Sequence, residues 1–164
     1  MNGFPDTSSG PAPILVLGIG NMLLGDDGVG PALLEQLVDA AARWSGRVGF
    51  LDGGTQSLAL LVQFSGRQVV IIVDALETGA PPGTVHRMTL NELRELSLGR
   101  ARSAHEGDAR ELLAAAELLG ELPDRLLVVD VEPESITTRF GLSNHVQEAL
   151  SAASDQVSCL LSEL

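Results

Sequence analysis

Four aspartates and one histidine are the side chains of this sequence whose types and spacing could carry out chemistry. Asp26 and Asp27 follow the first apolar run, Asp52 follows the second, Asp74 follows the third, and His105 lies in a polar stretch further on. Carboxylates held about 6 Å apart repel by roughly 3 kcal/mol per pair at an effective dielectric near 20, so a cluster calls for a cation, a shared proton or a basic partner. With an imidazole added, the set of nitrogen and oxygen ligands suits a divalent transition metal such as nickel or zinc.

Each of these side chains also has a purely structural explanation. One of Asp26 and Asp27 could interact with the dipole at the start of the following helix. Asp52 precedes two glycines and could be a turn residue. Asp74 could belong to a structural ion pair, since an unpaired buried carboxylate is costly. His105, considered alone, would be an ordinary loop histidine. The residues by themselves leave these alternatives open.

Three other reactive side chains have no supporting context in the sequence. His86 and His145 are expected to be surface residues. Cys159 falls on the apolar stripe of the last helix, so we expect it to belong to the core. A single cysteine cannot form an internal disulfide, which favours a reducing, cytoplasmic location.

The elements that must position these residues alternate between strand and helix. Apolar runs predict strands at residues 14–17, 48–51, 68–73, 84–88 and 126–131. Helical periodicity predicts helices over residues 29–44, 58–62, 90–96, 109–119 and 146–164, the last with Ser143 as its N-cap. This alternation predicts an α/β fold, a three-layer α/β/α sandwich with a mostly parallel, twisted central sheet. The aspartates would then share the carboxyl edge of the sheet, where open α/β sheets build their sites.

Length and composition narrow the classes of function. We expect residues 1–13 to be a flexible N-terminal tail and residues 14–164 to be a single domain. The net charge of −12, with no lysine, makes nucleic acid an unfavourable partner. The apolar runs are too short for insertion into a membrane. The sequence lacks a phosphate-binding loop, a Gly-x-Ser-x-Gly elbow and a His-Glu-x-x-His helix.

Five segments occur in an order and at a spacing that together are specific. They are residues 18–30 (GIGNMLLGDDGVG), 52–55 (DGGT), 73–75 with 82–84 (VDA and PGT), 103–105 (SAH), and 132–134 with 141–143 (EPE and GLS). In this respect the chain resembles the hydrogenase maturation proteases over nearly all of residues 14–150. Two positions depart from the family pattern: Glu106 stands where a glutamine is common, and the strand end at Asp130 and Glu132 is more acidic than usual.

The resemblance implies a cytoplasmic endopeptidase that removes the C-terminal extension of a NiFe-hydrogenase large-subunit precursor after nickel has been inserted. It implies that Asp27, Asp74 and His105 bind metal, namely the nickel held in the precursor, so that the protease itself would be isolated without metal. Asp27 and Asp74 are therefore also candidate catalytic residues. Asp52 is our candidate for the general base that activates the attacking water.

Two other functions remain compatible with the residues. The first is a metal-sensing adaptor that binds the metallated precursor without cutting it, because no independent nucleophile is visible in the sequence. The second is a general metallohydrolase that carries its own zinc ion.

Overall fold

Five strands form one sheet in the computed structural model, which describes residues 11–99 and 109–164. They are β1 (Ile14–Ile19), β2 (Val48–Gly54), β3 (Val69–Ala75), β4 (Val85–Thr89) and β5 (Arg125–Val131). Their order across the sheet is β2-β1-β3-β5-β4. Every neighbouring pair is parallel except β4 and β5, which are antiparallel. The mostly parallel sheet is therefore as the sequence predicts.

Helices cover both faces of this sheet. They are α1 (Val29–Val38), α2 (Leu90–Gly99), α3 (Ala109–Leu119) and α4 (Asn144–Glu163), with short 3-10 segments at Asp26–Gly28, Ala41–Trp44 and Ser57–Phe64. Side chains of α1 and α4 pack on one face. Side chains of α2, α3 and the Ser57–Phe64 segment pack on the other. The predicted three-layer sandwich is confirmed. None of the helices in the described ranges combines the length and the apolar character needed to cross a membrane.

Some details differ from the sequence predictions. The helix predicted over residues 29–44 ends at Val38, and a separate 3-10 segment then carries Trp44 into the core. The amphipathic helix predicted near residues 58–62 is a 3-10 segment whose Leu58 and Val62 are exposed. Cys159 is exposed, so its assignment to the core is wrong. With 3.6 residues per turn, the buried face of α4 includes Val157 and Leu160 but not Cys159, which lies between them in sequence.

Two further predictions concern the start of α4 and the N-terminal tail. Ser143 caps α4 as predicted, since its Oγ accepts a hydrogen bond from the N–H of Val146. The predicted flexible tail, residues 1–13, lies mostly outside the described residues.

Gly30 sets how closely α1 approaches the ends of β1 and β3. A Cβ atom at this position would lie 2.2 Å from the carbonyl oxygen of Ile19 and 2.8 Å from that of Val73. Both contacts are with backbone, which cannot move aside without displacing a strand. The glycine therefore fixes the entry of α1 beside the turn that carries Asp26 and Asp27.

Replacing Gly30 with alanine should lower the free energy of unfolding by about 3 kcal/mol, because the added methyl group overpacks the contact between α1 and the sheet. Urea denaturation measures the change. Gly49→Ala is the matched control, since a Cβ there meets only ordinary contacts, the nearest at 3.5 Å. Equal stability of the two variants would contradict the proposed constraint.

Candidate functional site

Asp26 follows β1 and is fully buried. Its carboxylate accepts hydrogen bonds from the backbone N–H groups of Glu134, Ser135 and Ser143 at 2.8, 3.2 and 2.6 Å, and from Ser143 Oγ at 2.9 Å. Burial acts to raise the pKa of Asp26, but the hydrogen bonds from Ser143, Glu134 and Ser135 together lower it below its usual value. Asp26 is therefore a structural anchor that joins the turn after β1 to residues 134–143.

Asp27 lies in the same 3-10 turn but remains partly exposed. Its Oδ2 accepts a hydrogen bond of 2.7 Å from the N–H of Asn21. The turn contacts β3, the strand whose last but one residue is Asp74. The helix-cap explanation does not describe either aspartate, because the N-cap residues of the turn and of α1 are Gly25 and Gly28.

Asp74 is buried at the carboxyl end of β3, with 1% of its surface exposed. Its Oδ1 accepts a 2.8 Å hydrogen bond from the N–H of Ala75, and its Oδ2 accepts one of 2.8 Å from the N–H of Ala109. Ala109 is the first residue of α3, so the carboxylate lies at a helix N-terminus, where the dipole stabilises negative charge. Asp74 is thus held in a fixed orientation by two backbone groups.

His105, the third predicted metal ligand, lies outside the described residues. Within residues 11–99 and 109–164, no three or more histidine, cysteine and acidic side chains are grouped so as to hold a metal ion. The first described residue after the segment that contains His105 is Ala109, which donates to Asp74. Asp27 and Asp74 offer the oxygen donors that suit a divalent metal.

Asp52 is exposed at the end of β2. Its Oδ1 accepts a 2.9 Å hydrogen bond from the N–H of Gly54, which is the turn role that the sequence allowed. Side chains alternate along a strand, and Phe50 packs on the face covered by α1 and α4. Asp52 therefore points toward that face, whereas Asp74 follows Ile72 on the opposite one. Its role as a base stays a prediction.

Asp130 and His86 form a pair that the sequence predictions missed. Asp130 is fully buried in β5, and its Oδ2 lies 3.1 Å from Nδ1 of His86, whose side chain is 31% exposed. Burial raises the pKa of Asp130 to about 6 against the lowering effect of His86. Its Oδ1 is buried without a hydrogen-bond partner among the described residues. The expectation that His86 is simply a surface residue is therefore wrong, whereas His145 does lie at the surface, paired with Glu134.

Glu132, the second acidic residue at the end of β5, has a structural role. Its carboxylate accepts hydrogen bonds from Thr78 N–H and Oγ1 at 2.8 and 2.6 Å, and from Gly79 N–H at 3.0 Å. These bonds order the connection from β3 to β4 beside the site. The acidity of this strand end was the only signal in the sequence for the roles of Asp130 and Glu132. The pairing of His86 with Asp130 could not be predicted, because it depends on the β4–β5 register, which joins residues far apart in the chain.

Comparison with known proteins places the chain in a family. The model of the hydrogenase maturation protease family matches residues 32–159. The hydrogenase 2 maturation protease of Escherichia coli (strain K12) is 34% identical over 151 residues, which cover 92% of this chain and 91% of that protein. The structure of the hydrogenase maturating endopeptidase HybD from E. coli superposes with a TM-score of 0.76, covering 92% of each chain at 34% identity.

A second relative is longer than this chain. The hydrogenase expression/formation protein HupD of Thiocapsa roseopersicina is 36% identical over 143 residues, which make up 85% of this chain but 63% of HupD. The α/β sandwich of this chain is thus a fold that it shares with the solved structure of the HybD endopeptidase. This chain belongs to the hydrogenase maturation protease family.

Replacing Asp26 with alanine should lower the free energy of unfolding by roughly 3 kcal/mol at pH 7, because it leaves buried N–H groups without their acceptor. The folded pKa of Asp26 is below its unfolded value of 3.8, so its contribution is fully present above that pH and is lost as the pH falls through the folded pKa. Denaturant unfolding at several pH values between 7 and about 3 measures this difference.

Asp155→Ala provides the control, since Asp155 is exposed on α4. Its stability should stay within about 0.5 kcal/mol of the unaltered chain. An Asp26→Ala penalty that is the same at acid and neutral pH would contradict the assigned role of the ionised carboxylate.

Proposed function

We propose that this chain is an endopeptidase that removes the C-terminal extension of a NiFe-hydrogenase large-subunit precursor once nickel has been inserted. Membership of the hydrogenase maturation protease family supports this activity. The observation that carries the proposal is the placement of two carboxylates, Asp27 and Asp74, on contacting elements at the carboxyl edge of the sheet. This edge is where α/β sheets build their sites.

In this proposal, the site recognises the nickel ion that the precursor carries. Asp27, Asp74 and His105 complete the coordination of a nickel ion that the precursor's own cysteines already hold. The two hydrogen bonds to Asp74 fix its carboxylate before the precursor arrives, so little orientation is lost on docking. A precursor without nickel lacks the positive charge that offsets repulsion among the carboxylates, and it should dock poorly.

Hydrolysis of the scissile peptide then requires an activated water. Nickel can polarise the peptide carbonyl as a Lewis acid, and a nearby base can take a proton from the attacking water. Asp52 is the base that the sequence proposes, although its exposure and its hydrogen bond to Gly54 equally fit a turn residue. The energy of docking on nickel makes specificity depend on the metal state as well as on sequence.

A macromolecular substrate is supported by exposed apolar side chains next to the site. Leu23 and Phe140 are 62% and 79% exposed. They lie on adjoining loops, since the N–H of Arg139 donates to the carbonyl of Leu23 at 3.1 Å. Both loops are anchored through Asp26, the neighbour of Asp27. We call Leu23 and Phe140 the apolar rim, and in this proposal the precursor packs against it.

Two features of the sequence bear on location and on other partners. The single cysteine, Cys159, favours a reducing compartment, so in this proposal the protease acts in the cytoplasm. The net charge of −12 disfavours binding to nucleic acid.

The test is to incubate the purified chain with a cognate large-subunit precursor, with and without inserted nickel, and to follow the precursor by mass spectrometry. We expect loss of a C-terminal peptide from the nickel-loaded form alone. Stable binding without a change of mass would identify a metal-sensing adaptor. Equal cleavage of the nickel-loaded and nickel-free precursors would contradict the proposed recognition of nickel and would favour a hydrolase that carries its own zinc ion.

Asp74→Asn should abolish cleavage of the nickel-loaded precursor, by at least about 100-fold, because the amide is a poor ligand for a divalent metal. Thermal unfolding checks that the variant is folded. Asp155→Asn on the exposed face of α4 is the matched control and should cleave normally. Near-normal cleavage by Asp74→Asn would contradict the proposed role of Asp74 as a ligand of the nickel ion.

Replacing both residues of the apolar rim with serine should weaken binding of the loaded precursor by about ten-fold without slowing cleavage at saturation, because apolar contact area is lost away from the reacting bond. Titration of the precursor separates KM from kcat. Leu118→Ser is the control, since Leu118 is 86% exposed near the far end of α3. A fall in kcat with unchanged KM would contradict a docking role.

A further inference from the structure

Asp74, Asp130 and His86 lie in one row across three neighbouring strands. Asp74 pairs with Asp130 in the β3–β5 register, and His86 pairs with Asp130 in the β4–β5 register. Strands lie about 4.8 Å apart, so the Cα atoms of Asp74 and His86 are separated by about 10 Å. The row lies one residue before the carboxyl ends of β3 and β5.

All three side chains of this row belong to the same face of the sheet. Ile72 and Val128 stand two residues before Asp74 and Asp130, and both pack in the core beneath α2 and α3. Met88, two residues after His86, packs against the same core. Because side chains alternate along a strand, the row faces the side from which α3 presents its N-terminus to Asp74.

The surroundings of Asp130 and His86 differ from those of a surface ion pair. Asp130 is completely buried, and only one of its carboxylate oxygens has a partner among the described residues, namely Nδ1 of His86. His86 stands on β4, the edge strand, with its ring partly open to solvent. When Asp130 is ionised and the ring is neutral, Nδ1–H of the ring can donate a hydrogen bond to Asp130, and Nε2 then carries the free lone pair.

We propose that His86 is the general base and acid of the peptide hydrolysis and that Asp130 is the residue that positions it. This inference rests on the proposed endopeptidase function and names the group that carries the proton. A buried carboxylate that fixes the tautomer of a histidine, with the other ring nitrogen toward the substrate, is the arrangement that serine hydrolases use to move protons.

The proton transfers balance within one hydrolysis. Nε2 of His86 takes a proton from water as the water oxygen bonds to the scissile carbonyl carbon. The C–N bond then breaks, and the protonated ring returns the proton to the leaving amine nitrogen. His86 is neutral again after each turnover, while Asp130 stays ionised and keeps the ring oriented.

This arrangement accounts for two features that a structural role leaves unexplained. A buried carboxylate oxygen without a partner is costly, so an ion pair that served stability alone would be better replaced by apolar residues. The His86 side chain is also 31% exposed, so the ring is accessible from solvent although its partner Asp130 is fully buried. Asp52, the alternative base, lies on the opposite face of the sheet from Asp74.

The test compares His86→Ala with the unaltered chain on the nickel-loaded precursor, measuring binding and the single-turnover rate of cleavage separately. We expect unchanged binding, a rate lower by about 100-fold or more, and recovery of at least about ten-fold when imidazole is added, because free imidazole replaces the missing base. Asp130→Asn should also slow cleavage by at least about ten-fold with unchanged binding, and should gain nothing from imidazole, because its own ring remains in place.

His145→Ala is the matched control, since His145 also pairs with a carboxylate, at 2.9 Å from Glu134, but both side chains are largely exposed. It should cleave normally and should not respond to imidazole. His86→Gln, which keeps a hydrogen-bonding group toward Asp130, gives a second folded variant that should bind normally and cleave as slowly as His86→Ala.

We call His86, as base, and Asp130, as its positioning residue, the dyad. Several results would overturn this proposal. Cleavage by either His86 variant within about three-fold of the unaltered chain would exclude it as the base. A slow His86→Ala variant that imidazole leaves unchanged, or that binds the precursor weakly, would mean that His86 acts through structure. Absence of cleavage by the unaltered chain would overturn the endopeptidase function and the dyad together, whereas cleavage that is lost in Asp74→Asn but kept in His86→Ala would overturn the dyad alone.

Discussion

The buried carboxylate of Asp26 is the interaction on which the arrangement of the site depends. Its four hydrogen bonds join the turn after β1 to residues 134–143, two segments more than 100 positions apart in the chain. Charge-assisted bonds of this kind are stronger than neutral ones. Since Asp27 is the next residue, the anchor also fixes the backbone from which the proposed nickel ligand projects, and it holds the apolar rim on both adjoining loops.

The acidic residues at this edge of the sheet therefore perform different tasks in different surroundings. Asp26 and Glu132 accept several backbone hydrogen bonds and order loops. Asp74 is buried at the N-terminus of α3, whose dipole offsets the cost of the charge. Within the part of the chain that the structure describes, one carboxylate oxygen of Asp130 pairs with His86 and the other has no hydrogen-bond partner, and burial raises the pKa of Asp130 to about 6. The carboxylate that is least stabilised by the fold is the one that we assign to positioning His86, the side chain that carries the proton.

Much of the fold and part of the site could be predicted from the sequence, because the information was local. Continuous apolar runs indicated β1, β3 and β5, and the aspartates that follow strands indicated the carboxyl edge of a parallel sheet. Helix ends were less predictable where packing overrode periodicity, as at Val38. The different roles of Asp26 and Asp27 were not accessible, since they depend on hydrogen bonds to residues 134–143. The pairing of His86 with Asp130 was equally hidden, because it depends on the antiparallel register of an edge strand.

The proposed function depends on one step, in which the protein completes the coordination of nickel already bound in its substrate. X-ray absorption at the nickel edge tests it most directly, on the loaded precursor alone and on its complex with this chain, frozen before cleavage. We expect oxygen and nitrogen neighbours to join the sulfur ligands of nickel when the complex forms. Complexes of Asp27→Asn and Asp74→Asn should gain fewer of these oxygen and nitrogen neighbours. A nickel spectrum that is identical in the free precursor and in the complex would contradict this step.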